Sequence, residues 1–161
     1  SLRRVFLLEE QPAWSPALRS SATLRKAPKR HLVDVALAAA ALNSDAPRLL
    51  RDPNTLGFAF ESFVYQHLLA YGAELDATVY HYRDSNGLEA DAILQTPSGD
   101  WLALEVKLGA NQIDAAALNL QRVSETVATS PPTALVVITP TGYAYQRADG
   151  VNVVPLSLLG P

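Results

Sequence analysis

An apolar run that carries two charges, "LALEVKLG" at residues 102–109, constrains the fold of this chain most strongly. Its Leu, Ala and Val residues are typical of a buried strand, in which successive side chains point to opposite faces of the sheet. Glu105 and Lys107 therefore share one face, while the other face is wholly apolar. The run predicts a strand that packs a core on one side and carries a charged pair on the other.

The segments around this run predict an α/β domain. The predicted elements are a helix from about Thr55 to Tyr71 that stops at Gly72, strands at 77–82, 88–95 and 101–108, a helix at 111–128, a strand at 133–139, and short strands in "YAYQ" and "VNVVPL". Asp52 and Pro53 are a helix cap and a first-turn proline, which places the start of the compact domain near Asp52.

The strand before the charged run also carries acidic residues. Alternation places Glu89 and Asp91 on one of its faces and Ala90, Ala92 and Leu94 on the other. The turn sequence "TPSGD" between the two strands predicts a hairpin. Such a hairpin would bring the charged faces of the two strands together.

Asp91, Glu105 and Lys107 together predict a metal site. Two carboxylates a few ångströms apart repel each other unless a cation lies between them or one of them is protonated. An oxygen-rich pair suits Mg²⁺ or Mn²⁺, which accept few protein ligands and keep several waters. Lys107 would then hold or help to deprotonate a water molecule, or balance the charge of a phosphate.

Glu61 adds a third carboxylate, from the first predicted helix. The small and polar residues of that helix fall in one stripe, which we interpret as its solvent face: Thr55, Ala59, Ser62, Gln66 and Ala70. Glu61 lies away from this stripe, beside Gly57, Val64 and Leu68 on the core side. Because an unpaired buried carboxylate costs several kcal/mol, Glu61 needs a cation or a hydrogen-bond donor there.

Each of these residues also has an interpretation without function. Glu105 and Lys107 could form a solvated pair on an edge strand, Asp91 could be a surface acid, and Glu61 could extend past its neighbours to solvent. The four in this order, on a helix and on two strands of a hairpin, are a more specific pattern than any one of them. The pattern therefore favours one shared site.

The charge of the chain is unevenly distributed. Residues 1–51 hold nine Lys and Arg against four Asp and Glu, whereas residues 52–161 hold four against twelve. We interpret residues 1–51 as a basic N-terminal segment and residues 52–161 as the compact domain. The basic residues that could contact nucleic acid are Arg25, Lys26, Lys29 and Arg30 in the loop at 19–30, and Arg83 at a strand end. A solvated linker, or a loop that docks onto another module, is the first interpretation of that loop, and nucleic-acid binding is the second.

The composition excludes several classes of protein. The chain has no cysteine, so neither disulfides nor a thiolate zinc site can form. No apolar run is long enough to span a bilayer and no signal peptide is visible, so we expect a cytoplasmic protein without a membrane partner. The chain starts at Ser1 and lacks methionine, so we expect it to be a piece of a longer protein. No Gly-rich loop with Lys and Ser or Thr is present, so we expect no ATP site of that kind.

The charged residues resemble the motif of the PD-(D/E)XK nuclease superfamily. Asp91 matches the strand aspartate, Glu105-Val106-Lys107 matches (D/E)-x-K, and Glu61 matches the glutamate of the first helix. The resemblance covers the last two-thirds of the chain and implies a restriction-endonuclease-like three-layer fold, with a central mixed sheet flanked by helices in the order α-β-β-β-α-β. It also implies Mg²⁺ or Mn²⁺ held by Asp91, Glu105 and Glu61, with Lys107 and Glu61 as catalytic residues.

A closer resemblance spans nearly the whole chain. The stretches "KAPKRHLVD", "LGFAFESFV", "HYRDSNGLEADAIL" and "LALEVKLG" look like the C-terminal domain of predicted bacterial AAA-type ATP-binding proteins, a domain of unknown function with a nuclease-like fold. This implies an N-terminal ATPase module before Ser1, to which the basic segment 1–51 would link the compact domain. The sequence departs from the RecB-like branch of the superfamily, because no Tyr follows Gln121 by four residues, and from the usual proline before the strand aspartate, which is replaced by Ala90.

Three functions remain open from the sequence. The first is a metal-dependent phosphodiesterase that acts on DNA or RNA. The second is a catalytically silent module that keeps the fold for protein or nucleic-acid binding or for regulation, which the acidic charge of residues 52–161 favours. The third is a purely structural or oligomerisation element. The intact motif places the first hypothesis slightly ahead, although a fold alone does not establish activity.

Overall fold

The computed structural model describes residues 8–41 and 45–160, and it has a mixed α/β fold. The helices and strands are β1 (Leu8–Gln11), β2 (Lys29–Leu32), α1 (Val35–Ala41), α2 (Ala46–Leu50), α3 (Pro53–Glu74), β3 (Thr78–Arg83), β4 (Glu89–Gln95), β5 (Trp101–Val106), α4 (Ile113–Thr126), β6 (Ala134–Thr139), β7 (Tyr145–Gln146) and β8 (Asn152–Pro155). The predicted α/β class is confirmed. The predicted division of the chain also includes residues 1–7, 42–44 and 161, which lie outside the described residues. Within the described part of the chain, no helix is both long and apolar enough to cross a membrane.

The central sheet has six strands in the order β3-β4-β5-β6-β8-β7. Strands β3, β4 and β5 are antiparallel neighbours, and β5, β6 and β8 run parallel to one another. Strand β5 therefore lies inside the sheet, and Glu105 at its end is only 4% exposed. This position excludes the interpretation of Glu105 and Lys107 as a solvated pair on an edge strand.

Helices α3 and α4 cover opposite faces of this sheet. One apolar cluster joins α4 to the sheet through residues such as Ala117, Leu120, Ile93, Ala103 and Val137. The other joins α3 to the sheet through residues such as Val64, Leu68, Leu94, Leu104 and Ile138. Residues of β5 alternate between the two clusters, as expected for a strand that is buried on both faces.

The small and polar stripe of α3 is not its solvent face, so that prediction is wrong. Ser62 is fully buried and Ala59 is buried, because the antiparallel hairpin of β1 and β2 covers this side of the helix. Ser62 Oγ accepts a hydrogen bond from the Leu32 amide at 3.3 Å, and Gln66 Nε2 donates to Glu9 at 3.2 Å. Ser62 and Gln66 in the middle of the stripe therefore contact strand backbone and polar side chains.

Both ends of α3 have a local physical cause. Asp52 caps the first turn by accepting from the Thr55 amide at 3.2 Å, as predicted. The predicted stop at Gly72 is wrong, because the helix continues to Glu74. Gly72 is needed for close packing instead, since a Cβ there would lie 2.9 Å from the Ala77 carbonyl oxygen.

The N-terminal segment packs into the same core as the rest of the domain. Trp14 is 3% exposed, and its ring contacts Trp101 at a centroid distance of 4.7 Å and Tyr82 at 6.3 Å. We call these three residues the aromatic cluster. The Trp14 amide also donates to the His81 carbonyl at 2.7 Å, so the segment runs alongside β3. The role of residues 1–51 as a link to a preceding module stays a prediction.

Candidate functional site

An irregularity in β4 positions Asp91. The β3–β4 register shifts between the pairs Tyr80–Ile93 and Tyr82–Ala90, so three steps on β4 oppose two steps on β3. Such a bulge bends the strand and redirects a side chain. Asp91 lies within this shifted interval.

The bulge breaks the predicted alternation of β4. Ala90 packs in the cluster on the α4 side, whereas Ala92 packs in the cluster on the α3 side. The prediction that these two alanines share one face is therefore wrong, because the extra residue reverses the alternation between them. Sequence periodicity cannot detect such an insertion, since it assumes a regular strand.

Five charged side chains form a row in which carboxylates and ammonium groups alternate. We call it the charged row, and its members in spatial order are Glu61, Lys29, Asp91, Lys107 and Glu105. The row therefore contains all four residues that the sequence motif predicted, and Lys29, which sequence reasoning treated only as a weak nucleic-acid contact. Three carboxylates and two ammonium groups leave one negative charge when all five are ionised.

Asp91 is the centre of the row. Its Oδ1 lies 3.3 Å from the Lys29 ammonium, and its Oδ2 lies 3.8 Å from that of Lys107. Oδ2 also accepts a hydrogen bond from the Val106 amide at 2.9 Å, which fixes the carboxylate against the end of β5. Both oxygens of Asp91 therefore already have cationic or amide partners.

Glu105 is the most buried acid of the row. It contacts the Lys107 ammonium, and its Oε1 accepts from Asn119 Nδ2 of α4 at 2.6 Å. Burial, followed by repulsion from Asp91, raises the pKa of Glu105 to about 7, although Lys107 and Asn119 oppose this change. Glu105 thus favours a proton or a further cation near neutral pH.

The other members of the row are perturbed for related reasons. Burial and the charge of Asp91 raise the pKa of Glu61, although Lys29 opposes this change. Burial lowers the pKa of Lys29 and of Lys107, but their carboxylate neighbours outweigh that effect and raise both above the usual value for lysine. Both lysines are therefore charged at neutral pH.

A buried chain of hydrogen bonds supports the row from the N-terminal hairpin. His31 lies between Ser62 Oγ at 3.4 Å and Gln11 Oε1 at 2.9 Å, and its ring stacks on Tyr65. Gln11 Nε2 in turn donates to the Asp91 carbonyl at 3.0 Å. Gln11 therefore holds the backbone at the bulge, and burial followed by the charge of Lys29 lowers the pKa of His31 to about 4.

Two cavities open on either side of Asp91. One, of about 290 Å³, is lined by Glu61, Asp91 and Lys107 together with the start of α3. The other, of about 420 Å³, is lined by Arg25, Lys29, Arg83 and Asp91 among others. Each cavity therefore gives access to a different part of the charged row.

The structure separates the predicted nucleic-acid contacts into two groups. Arg25 and Arg83 share the larger cavity, where the Arg25 amide donates to the Arg83 carbonyl at 2.9 Å. Arg83 is also 3.5 Å from Glu89. Arg30 is 3.7 Å from Glu10, and Lys26 is exposed. The lining of the larger cavity therefore combines the cationic side chains of Arg25, Lys29 and Arg83 with the carboxylates of Glu89 and Asp91.

The site fits a divalent cation only in part. Glu61 Oε1 is buried and accepts no hydrogen bond within the described residues, although it is ion-paired with Lys29, and the donor set consists of the carboxylate oxygens that Mg²⁺ and Mn²⁺ prefer. However, no group of three or more His, Asp or Glu residues in the chain at 8–41 and 45–160 is arranged to hold a metal ion. A cation bound here would therefore rely on two carboxylates, water and a substrate phosphate, unless the lysines moved.

Sequence reasoning missed Lys29, Asn119 and Gln11 as parts of the site. The signal for Lys29 was its position two residues before His31 on a strand, which places both side chains on one face. Asn119 is a polar residue beside Leu120 of the core, in a helix of otherwise regular periodicity. Gln11 carried no sequence signal, because its role depends on the bulge in β4.

Comparisons with known proteins give a family but no activity. The sequence model of a domain of unknown function, DUF4143, matches residues 56–159. No curated protein and no solved structure matches the chain. The matched region begins in α3 and ends after β8, so it includes four members of the charged row, whereas Lys29 lies before it.

Proposed function

Because this chain belongs to the DUF4143 family, a domain of unknown function, we propose its function from the charged row: a metal-dependent phosphodiesterase acting on DNA or RNA, with a fold like that of the restriction endonucleases. The observation that carries this proposal is the contact of Asp91 and Glu105, on neighbouring strands, with the same Lys107 ammonium. The α3-β3-β4-β5-α4-β6 succession and the helices on both faces of the mixed sheet also support it.

The carboxylates would hold the metal and position the substrate. Asp91 would be the central ligand of Mg²⁺ or Mn²⁺, with Glu61 on one side of it and Glu105 on the other. A divalent cation at such a site acidifies a bound water and stabilises charge on a phosphate oxygen. Asn119 fixes the Glu105 carboxylate, and the Val106 amide fixes that of Asp91, so both acids are oriented before any ligand arrives.

Lys107 would act on the reacting phosphate. Its ammonium is held by Asp91 and Glu105, and it lines the smaller cavity beside Glu61. From there it can donate to a phosphate oxygen or orient a water molecule. Because the site is partly dehydrated, such a charge–charge contact is stronger than in water.

The larger cavity would bind the nucleic-acid backbone. Arg25 and Arg83 line it together with Lys29, Glu89 and Asp91. Cationic side chains contribute most of the sequence-independent affinity for nucleic acid, and this affinity falls with salt. We therefore expect binding that weakens with salt and with the removal of either arginine.

The setting of the domain is also a proposal. The resemblance of the sequence to the C-terminal part of bacterial AAA-type ATP-binding proteins supports a cytoplasmic protein in which an ATPase module precedes this domain. The ATPase would then control access of nucleic acid to the charged row. A full-length chain is thus the preferred material for the assay of activity.

A cleavage assay tests the proposed activity. Fluorescent single-stranded and double-stranded DNA and RNA would be incubated with Mg²⁺ or Mn²⁺ and with the wild type, Asp91→Asn or Lys107→Met. We expect metal-dependent cleavage that both variants lose. Asp76→Asn is a matched control, because Asp76 is exposed and has a positive φ that asparagine tolerates.

A second candidate function is a silent module that binds a partner through the same fold. The observation that favours it is the charge balance of the row, in which Lys29 and Lys107 already neutralise most of the carboxylate charge. Absence of cleavage, together with absence of saturable Mn²⁺ binding by calorimetry in a folded wild type, would favour this candidate over a phosphodiesterase.

A further inference from the structure

Lys29 lies where a cation bound between Glu61 and Asp91 would lie. Its ammonium contacts Glu61 Oε1 and lies 3.3 Å from Asp91 Oδ1. Building on the proposed metal site, we infer that Lys29 and a divalent cation are alternative partners of these two carboxylates. Lys29 then determines how tightly the site binds metal.

Lys29 and a divalent cation cannot both lie between the carboxylates of Glu61 and Asp91 at the same time. Asp91 Oδ2 accepts from the Val106 amide and faces Lys107, whereas Oδ1 faces Glu61 across the Lys29 ammonium. Glu61 Oε1 is buried and is ion-paired with the same ammonium. A divalent ion that uses both oxygens must therefore take the place of Lys29, since like charges at this separation repel.

The structure also gives the displaced ammonium a place to go. Lys29 is 33% exposed at its side chain and lines the larger cavity, of about 420 Å³, with Arg25 and Arg83. Its flexible four-carbon stem can turn towards that cavity. Only the side chain need turn, since the backbone of β2 can stay paired with β1.

Lys29 and Lys107 lie on different parts of the fold. Lys107 follows β5 in the middle of the central sheet, and its amide donates to the Ile138 carbonyl of β6 at 2.9 Å. Lys29 belongs to a two-stranded hairpin outside that sheet. Lys29 can therefore leave the charged row without a change in the central sheet, because its strand is not part of that sheet.

Calorimetric titration with Mn²⁺ tests the exchange. Wild type, Lys29→Met and Lys26→Met would be compared, because Lys26 is an exposed lysine three residues before Lys29 and its removal changes the net charge equally. If Lys29 holds the carboxylates in nine molecules of ten, its removal should tighten the apparent Kd for Mn²⁺ about tenfold. Lys26→Met should leave the Kd within about twofold of the wild-type value, as expected for a screened surface charge.

The outcomes separate this inference from the proposed function. Mn²⁺ binding that is equal or weaker in Lys29→Met than in wild type overturns the inference and leaves the metal site standing. No saturable binding by any of the three folded proteins overturns both. Tighter binding in Lys29→Met alone supports both.

Labelling of the wild type covers the case in which Lys29→Met does not fold. Brief reductive methylation followed by peptide mass spectrometry measures the reactivity of each lysine. We expect Lys29 to be protected without metal and several-fold more reactive with saturating Mn²⁺, while exposed Lys26 stays constant. An unchanged reactivity of Lys29 in the presence of bound Mn²⁺ would contradict the exchange.

Discussion

The aromatic cluster and the charged row receive residues from the same N-terminal segment but differ in what they do for the protein. Trp14 of the segment completes the aromatic cluster with Tyr82 and Trp101, and Lys29 of the same segment completes the charged row. Burial of aromatic side chains stabilises the fold, because their apolar area leaves water. Burial of charges costs free energy that their pairing only partly recovers. The aromatic cluster therefore serves stability, whereas we propose that function explains the charged row.

The largest effect is expected at the aromatic cluster. Trp14→Ala should lower the free energy of unfolding by about 3–5 kcal/mol, because it removes a buried indole and its hydrogen bond to Gln95 at 2.9 Å. Urea unfolding followed by circular dichroism measures this change.

The control for that change is an exposed aromatic residue. Tyr143 is 88% exposed, so Tyr143→Ala should change the free energy of unfolding by less than about 0.5 kcal/mol. A loss below about 1 kcal/mol for Trp14→Ala would contradict the stabilising role that we assign to the aromatic cluster.

The second effect concerns the hydrogen bonds that link the hairpin to the row. Gln11→Leu keeps most of the side-chain volume but leaves the carbonyls of Tyr80 and Asp91 and the His31 ring without their partner. We expect a loss of about 2–3 kcal/mol, since an unsatisfied buried polar group costs about 1–3 kcal/mol. The same urea experiment measures it. A neutral result would show that water replaces Gln11 at the bulge.

The sequence could predict the parts of the fold that follow regular periods. The alternation of β5 placed Glu105 and Lys107 together, and the cap at Asp52 placed the start of α3, because both depend on near neighbours in the chain. The sequence also grouped Glu61 and Asp91 with the (D/E)-x-K pair through the motif. The motif predicted four residues of the site, but it did not predict that Lys29 lies between Glu61 and Asp91.

The missed parts of the site depend on contacts between distant segments. Lys29 reaches Asp91 across 62 positions of the chain, and Gln11 reaches the Asp91 carbonyl across 80. Composition alone identified Lys29 only as one of several charges in a basic loop. The predicted alternation of β4 assumed a regular strand at Ala90, where the register shifts. The buried state of Ser62 was missed for the same reason, since the hairpin that covers it is remote in sequence.

The third effect is a pH dependence from His31. Because burial lowers its pKa to about 4, below the usual value near 6.5, the neutral ring stabilises the fold above pH 6.5 and this contribution is lost as the pH falls towards 4. Between pH 7.5 and 5 the loss should be about 2 kcal/mol. His31→Gln should remove this part of the pH dependence, as measured by urea unfolding at several pH values. If the free energy of unfolding of the two proteins varied equally with pH, His31 would titrate in the folded protein as it does in the unfolded chain.

The smallest effect has the opposite sign and compares the two clusters most directly. Glu105→Gln replaces a buried carboxylate by a neutral group of the same shape, which can still accept from Asn119. The raised pKa of Glu105, about 7, means that the acid stabilises the fold below pH 4.5 and that this contribution is lost as the pH rises through 7. At pH 8 the variant should therefore be more stable than wild type by about 1–2 kcal/mol, discounted for the lost contact with Lys107.

The same variant also separates stability from metal binding. At pH 4.5, where Glu105 is protonated in the wild type, the difference in unfolding free energy should disappear. Mn²⁺ affinity at pH 8 should fall even though the protein is more stable, because a negative charge of the proposed metal site is lost. A variant that is less stable at pH 8 would mean that the pairing of Glu105 with Lys107 outweighs the cost of its burial. The charged row would then serve the fold as the aromatic cluster does, and stability alone would explain it.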